Sequence, residues 1–237
     1  MSAVAGYSST VSVGGTSTAM TGEATSLFSG SGANTVRQIT AAAKQCLDPA
    51  VAVVVKDGAG TVAATSYRLD YLYGKIRFLS YTPAGAITVD ANYIPLLPVL
   101  GCRAMNINAG RQLIDATVMS NGVLLAGETF ILGKKQADGE VDYIENIALD
   151  HDSGGGTVTW WGMLVAGASV LLDAQIGDTS AARGFRSWVQ VHGLPIQFDH
   201  NSLVGKKIKW KTAEQRNTAG AQVAHWSMAE DTMEHYA

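Results

Sequence analysis

Charge is scarce in this chain. Asp, Glu, Lys and Arg make up 16% of its 237 residues, against about 25% in ordinary soluble domains. The charge that is present gives no grip on polyanions. Twenty acidic against seventeen basic residues leave a formal charge of −3 and a pI of about 5.9, whereas a nucleic-acid binder draws affinity from a concentrated basic face. Cysteine is nearly absent. Cys46 and Cys102 are too few and too far apart for a disulfide framework and join no Cys-x-x-Cys or Cys/His cluster, so they read as buried free thiols of a reducing cytoplasm. Long apolar runs are missing as well: the longest, Ile94 to Leu100, is interrupted by Pro95 and Pro98 and falls well short of the ~20 residues of a membrane span. The opening Met-Ser-Ala-Val-Ala-Gly-Tyr lacks the basic start and apolar core of a signal peptide, so neither export by a standard route nor membrane anchoring is expected.

Catalytic signatures are missing too. Gly74-Lys75, Gly133-Lys134 and Gly205-Lys206 all lack the hydroxyl residue with which a phosphate-binding loop holds magnesium. Neither Gly-x-Ser-x-Gly nor His-Glu-x-x-His occurs. The five histidines never stand at ligand spacing from one another. Asp150-His151-Asp152 has the chemistry of a cation site, but neighbouring residues of a strand point to opposite faces, and a polar loop is the simpler reading. Trp160-Trp161 beside Gly154–Gly156 offers either a sugar-stacking platform or, as tryptophan favours, a core or interface anchor. An enzyme is not expected, and neither a cofactor nor a metal site is assigned.

What fills the sequence is small residues and short alternating stretches. Tyr67, Leu69 and Tyr71 alternate with Arg68 and Asp70, and Ile76 and Phe78 with Lys75 and Arg77. Ile87, Val89, Ala91 and Tyr93 alternate with Thr88, Asp90 and Asn92. Period two predicts half-buried antiparallel strands, with the polar set in water. Asp57-Gly58-Ala59-Gly60, Tyr73-Gly74 and Pro83-Ala84-Gly85 supply the turns. Further strands are predicted at 111–118, 128–134, 170–176, 185–192, 195–199 and 206–211, with 133–140 a charged loop and 141–150 compatible with helix or strand. In Lys206 to Lys211, Ile208 and Trp210 take one face and Lys207, Lys209 and Lys211 the other, as a solvated face or as a contact for phosphate or an acidic partner. Thr40 to Leu47 predicts a short helix capped by Thr40 and stopped by Asp48-Pro49, and Ser227-x-x-Glu230 a second, frayed one. The echo of Leu72–Phe78 in Leu203–Trp210 fits either similar turns or a duplication.

The expected fold is therefore mainly β: an antiparallel sandwich or barrel with one or two flanking short helices. Its expected divisions are a Ser/Thr/Gly/Ala-rich flexible arm over 1–34, one β domain over 35–226 and a tail over 227–237. In the arm, 9–13 and 16–20 suit a hairpin around Gly14-Gly15. Few charges and many small residues suit a subunit that hides surface against copies of itself; a Gly-rich β domain with many turns accounts for them as well.

Several stretches resemble the major tail protein, the tail tube subunit, of long-tailed bacteriophages with a non-contractile tail. They are Gly6-Tyr-Ser-Ser-Thr-Val-Ser-Val-Gly-Gly-Thr16, Gln38-Ile-Thr-Ala-Ala-Ala-Lys44 leading to Leu47-Asp-Pro-Ala-Val51, and the hairpin Asp57 to Phe78. The resemblance covers about the first 95 residues; beyond 110 only the strand rhythm matches. It implies a virion protein assembled in the host cytoplasm, whose copies close into rings, commonly hexamers, that stack into a hollow conduit for DNA ejection. An arm and a long loop bridge neighbouring rings. The implied partners are other copies, the tape measure, terminator and tail-tip proteins, and duplex DNA that passes without tight binding. Tyr7, Val11, Val13, Met20, Phe28, Trp160 and Trp161 are the expected inter-subunit contacts. Two rivals remain: another phage structural β protein, such as a head decoration or baseplate component, and a monomeric carbohydrate- or protein-binding β domain.

Overall fold

The computed structural model describes residues 9–28, 36–58, 60–79, 81–98, 102–115, 119–120, 123–124, 130–144, 167, 169–176, 183–193, 196–197, 205–224, 226–229 and 233. These residues form strands almost throughout. In chain order they are β1 (Ser9–Gly14), β2 (Thr18–Leu27), β3 (Val36–Ile39), β4 (Val54–Asp57), β5 (Gly60–Thr61) and β6 (Tyr67–Asp70). Next come β7 (Lys75–Phe78), β8 (Ile87–Tyr93), β9 (Leu96–Pro98), β10 (Cys102–Asp115), β11 (Met119–Ser120) and β12 (Val123–Leu124). The rest are β13 (Phe130–Ile144), β14 (Val170–Ile176), β15 (Arg183–Gly193), β16 (Ile196–Gln197), β17 (Gly205–Thr212) and β18 (Trp226–Met228). All pairings are antiparallel, as period two requires.

Two sheets carry the fold. The larger runs β10-β13-β17-β15-β14-β1-β9, with β16 added on β17 and β18 on β15. Its strands curl so far that Cα atoms of β1 come within 8 Å of β10, making a half-closed barrel. The inside of the curl is apolar: Val11, Ala137, Val141, Leu172, Phe185, Val189, Val191, Ile208 and Trp210 form one buried cluster. The second sheet runs β5-β4-β8-β2-β3-β7-β6 and wraps a core of Met20, Ile39, Leu47, Val55, Tyr67, Ile76, Phe78, Ile87 and Val89. It bends in β2, where the register with β8 shifts between Met20 and Glu23 and Gly22 takes φ +66°. A bulge of this kind turns a strand from one neighbour to the next: β2 leaves β8 and continues along β3.

Several expectations change. Residues 9–27 are not a loose arm. β1 lies between β14 and β9, β2 lies between β8 and β3, and the two belong to different sheets instead of forming a hairpin. Thr10, Thr18, Thr21 and Ser26 are exposed and Ser12 and Thr25 half-buried, while Val11 and Met20 bring enough apolar surface to seat the strands. The helix expected over Thr40 to Leu47 is a single 3-10 turn, Ala42–Lys44, with no side-chain cap. The backbone there is already engaged, since Thr40 N–H donates to the Ala24 carbonyl, Leu47 N–H to that of Tyr71, and Ile94 N–H to that of Cys46. The charged loop 133–140 is part of β13. Residues 141–144 resolve to strand, and the remainder of that stretch, with Asp150-His151-Asp152, lies outside the described residues. The expected C-terminal helix begins instead as β18.

Close backbone approach explains Gly139. Inside β13 it faces the curl opposite Trp210 of β17, and an added Cβ would lie 2.0 Å from the Asn106 carbonyl oxygen and 2.6 Å from the Trp210 ring. At the β6–β7 turn Gly74 holds φ +58°, and a Cβ there would meet the Gln45 carbonyl oxygen at 2.7 Å. Polar clamps fix the other turns of the smaller sheet. Asp57 Oδ2 accepts the Tyr81 hydroxyl at 2.8 Å and Ala84 N–H at 2.7 Å, which hold its carboxyl below the usual range, the amide first. Asp90 pairs with Lys56 and accepts Gly22 N–H at 2.6 Å, and Lys56 is the main cause of its lowered pKa.

Gly139→Ala is expected to lower unfolding free energy by about 3 kcal/mol, because backbone and an indole must both yield; chemical unfolding followed by tryptophan fluorescence measures it. Asp57 and Asp90 have folded pKa values below their unfolded ones. The stability they add is present above the unfolded value of about 3.9 and is lost as pH falls through the folded values. The acid limb of the stability curve should therefore be shallower in Asp90→Asn than in wild type.

Candidate assembly surfaces and the buried junction

The outer face of the barrel meets two different environments. Where β14, β15 and β18 present it, the second sheet covers it; where β10, β13 and β17 present it, it is open.

The covered part is charged. Asp173 of β14, Arg186 of β15 and Ser227 of β18 stand in one row across the strands, and each is at most 4% exposed. The β6–β7 hairpin opposes them with Asp70 and Lys75, cross-strand partners that are both fully buried. Both were expected in water with the polar set of their strands. They are buried because this hairpin is covered on its outer face as well. Arg186 Nε donates to Asp173 Oδ1 at 2.6 Å, and its Nη1 donates across the gap to the Leu72 carbonyl at 2.8 Å. Ser227 donates to Asp70 Oδ2 at 3.0 Å, and Leu72 N–H to Asp70 Oδ1 at 2.9 Å. Lys75 Nζ donates to the Ala229 carbonyl at 2.8 Å and sits 4.0 Å from the Phe28 ring centroid. The Arg186 guanidinium lies 4.4 Å from the Tyr73 ring centroid, a cation–π contact strengthened by desolvation. Around these groups pack Cys46, Leu72, Tyr73, Leu171 and Trp188. Burial pushes Asp70 up, with Lys75 the chief opposing influence, and it pushes up the Cys46 thiol and the Tyr73 hydroxyl. Burial also works against the charge on Arg186, but Asp173 and its neighbours outweigh it and raise its pKa. Cys46 is thus an inert thiol.

The open part is a ladder of opposite charges. Register places Asp138 opposite Lys211, Glu140 opposite Lys209 and Asp142 opposite Lys207. Lys209–Glu140 measures 3.4 Å and Lys207–Asp142 3.8 Å, with all four side chains roughly two-fifths exposed. Asn108 donates to Asp138 at 3.5 Å from the next strand. The run of lysines thus meets a carboxylate row in register.

The four sheet ends differ sharply. β9 has three residues and ends in Pro98, with Pro95 just before it; β5 has two residues, and β6 has four with Arg68 exposed. Short length, proline and charge are the usual protections of an edge. β10 differs in length: it runs for fourteen residues without proline or lysine, its charges are Arg103 near one end and Arg111 and Asp115 toward the other, and among the described residues no strand is hydrogen-bonded to its outer edge. Met105 and Ile107 on its inner side are half-buried.

Of the residues expected at subunit contacts, Val11 and Met20 are 5% and 6% exposed in the cores of the two sheets, and Val13 packs against the first of these. Phe28 is half-buried under Lys75. Tyr7, Trp160 and Trp161 lie outside the described residues. The strand expected over 111–118 coincides with the end of β10 at Asp115, but sequence reasoning missed its run Cys102 to Gly110, where alternation is weak, and the junction, whose one signal is the adjacent pair Leu171-Leu172.

No family model matches this chain, and no curated protein does. Among solved structures, a chain from the virion of a native gene transfer agent particle is similar at TM-score 0.38 and 15% identity, over 55% of this chain and 87% of that one. A likeness that distant fixes neither fold nor function. Among the described residues no helix is long and apolar enough to cross a membrane.

Breaking the buried Arg186–Asp173 pair from one side is expected to cost about 3–5 kcal/mol, since the other charge stays buried alone. Arg186→Met with Asp173→Leu should cost much less than Arg186→Met by itself. A double-mutant cycle by chemical unfolding checks this. Equal losses in the single and the double variant would deny the coupling.

Proposed function

We propose that this chain is a virion structural protein, a tail tube subunit whose copies close into rings and stack into a conduit. The single observation that carries the reading is the β10 edge, fourteen residues long, free of proline and lysine and unpaired among the described residues, in a fold whose other sheet ends have two to four residues. A long open edge is a template for another strand. Repeated by a rotation that closes, such a heterologous contact gives a ring; a second interface that repeats without closing gives a tube. The resemblance of the first 95 residues to tail tube proteins supports the same reading.

The ladder suits a conduit. Each Lys at 207, 209 and 211 faces a carboxylate, so this row of the barrel's open face has no surplus cations to bind phosphates and release counterions. In this reading duplex DNA passes such a wall without tight binding, and the subunit's partners are other copies and the proteins that start and end the tail.

Concentrated purified protein should form rings or tubes in negative stain. Asn106→Lys with Asn108→Lys, which puts charge on β10, should leave monomers of near wild-type melting temperature. A wild-type chain that stays monomeric at high concentration, or a double variant that assembles as well as wild type, would count against this function.

A further inference from the structure

The C-terminal segment is held in an unusual way. It touches all three apolar clusters: Val223 lies in the core of the smaller sheet, Trp226 and Met228 pack on the barrel interior, and Ala229 packs on the junction. β17 covers the edge of β15 only from Val189 to Gly193, and β18 takes the vacant part, pairing Trp226, Ser227 and Met228 with Ser187, Arg186 and Phe185. Ala229 N–H adds a bond to the Gly184 carbonyl at 2.9 Å. The opposing β6–β7 hairpin reads the other side of the segment. Asp70 accepts the Ser227 hydroxyl, Lys75 donates to the Ala229 carbonyl, and Arg77 donates to the Met233 carbonyl. Met233 is fully buried.

This is the anatomy of a strand-acceptor groove. One wall is a strand edge that supplies main-chain bonds; the other is a hairpin whose carboxylate and two cations recognise one hydroxyl and two carbonyls. Apolar room on the barrel side receives the residues flanking the hydroxyl. Peptide recognition by strand addition combines these elements, with main-chain bonds for affinity and alternate side chains for specificity. The connection before the segment is an exposed turn, Thr218 to Gln222, with Gly220 at φ +77°, and it joins the body through local bonds such as Asn217 N–H to the Ala221 carbonyl and Val223 N–H to the Gln215 carbonyl, which lie outside the groove.

We propose that the groove between β15 and the β6–β7 hairpin is a peptide-strand binding site, and that its ligand is the C-terminal segment of this chain, seated in cis and replaceable by the same segment supplied in trans. The occupant is an extended strand with a hydroxyl residue between two large apolar ones. The site is separate from the β10 edge and does not depend on ring assembly.

The test uses the full chain with a specific protease site inserted between Thr218 and Ala219. After cleavage, the fragment 219–237 should co-elute with the body on gel filtration, and a fluorescent synthetic peptide of residues 219–237 should exchange into its place. The same peptide carrying Ser227→Val should bind about tenfold more weakly, since it leaves a buried carboxylate without its hydroxyl. A scrambled peptide should not bind. Because the substitution is in the peptide, folding of the body is not at risk. A body that unfolds on cleavage would overturn the proposal, as would a fragment lost at once from a folded body, or equal binding of the native, Ser227→Val and scrambled peptides.

Discussion

Two cations and two carboxylates sealed between a barrel and a second sheet set the terms for everything else in this molecule. None of the four can be left alone. Desolvating a single charge costs several kcal/mol, and only a partner with further hydrogen bonds offsets it. Asp173 and Arg186 meet on the barrel, Asp70 and Lys75 stand opposite each other in the hairpin register, and each pair is completed by groups from across the gap. The sheets can therefore dock in only one register. Displacing one relative to the other by a residue would strand the Arg186 donor over an apolar position and leave Asp70 without Ser227. An apolar junction of the same area would tolerate such a slip. Here specificity, more than stability, is what the buried charges contribute.

The same chain treats charge in the opposite way on its open face. The cross-strand pairs Glu140–Lys209 and Asp142–Lys207 are roughly two-fifths exposed, and at that exposure each contributes little to stability. What they change is the surface potential. A row of three lysines with no acids opposite would be a local cationic stripe; in register with three carboxylates it is close to neutral at the scale of a Debye length. Buried pairs fix how the sheets meet, and exposed pairs fix what the outside presents.

Much of this was legible in the sequence, wherever one rule acted alone. Alternation located β8, β14 and β17, and it placed Ile208 and Trp210 opposite the lysines. It failed where a sheet is covered on both faces, because the rule assigns polar residues to water and cannot see a second layer. Asp70, Lys75 and Asp173 all sit at polar positions of alternating strands, yet all are buried. Leu171 beside Leu172, both buried, was the local sign that β14 has no wet side. The turn Ala42–Lys44 shows another limit: good helix formers gave way because distant strands had claimed their amides. The stretch from Gly133 to Glu140 read as a loop because its inward residues, Ala137 and Gly139, are small. The reason for that smallness, the Trp210 ring, lies some seventy residues away. The β10 edge gave no signal of its own, since an edge is defined by the absence of a neighbour.

The position of β1 has a consequence for how the molecule is made. Its main partner is β14, and Ser9 and Val170 are about 160 residues apart. At roughly 5–20 residues per second the ribosome delivers the second strand on the order of ten to thirty seconds after the first. During that interval β1 has the three-residue β9 as its one hydrogen-bonded neighbour among the described strands. The serines and threonines that made residues 9–27 look like a loose arm are thus well suited to a strand that must wait. A more apolar β1 would seat better in the finished barrel and would be a hazard on every nascent chain that carried it.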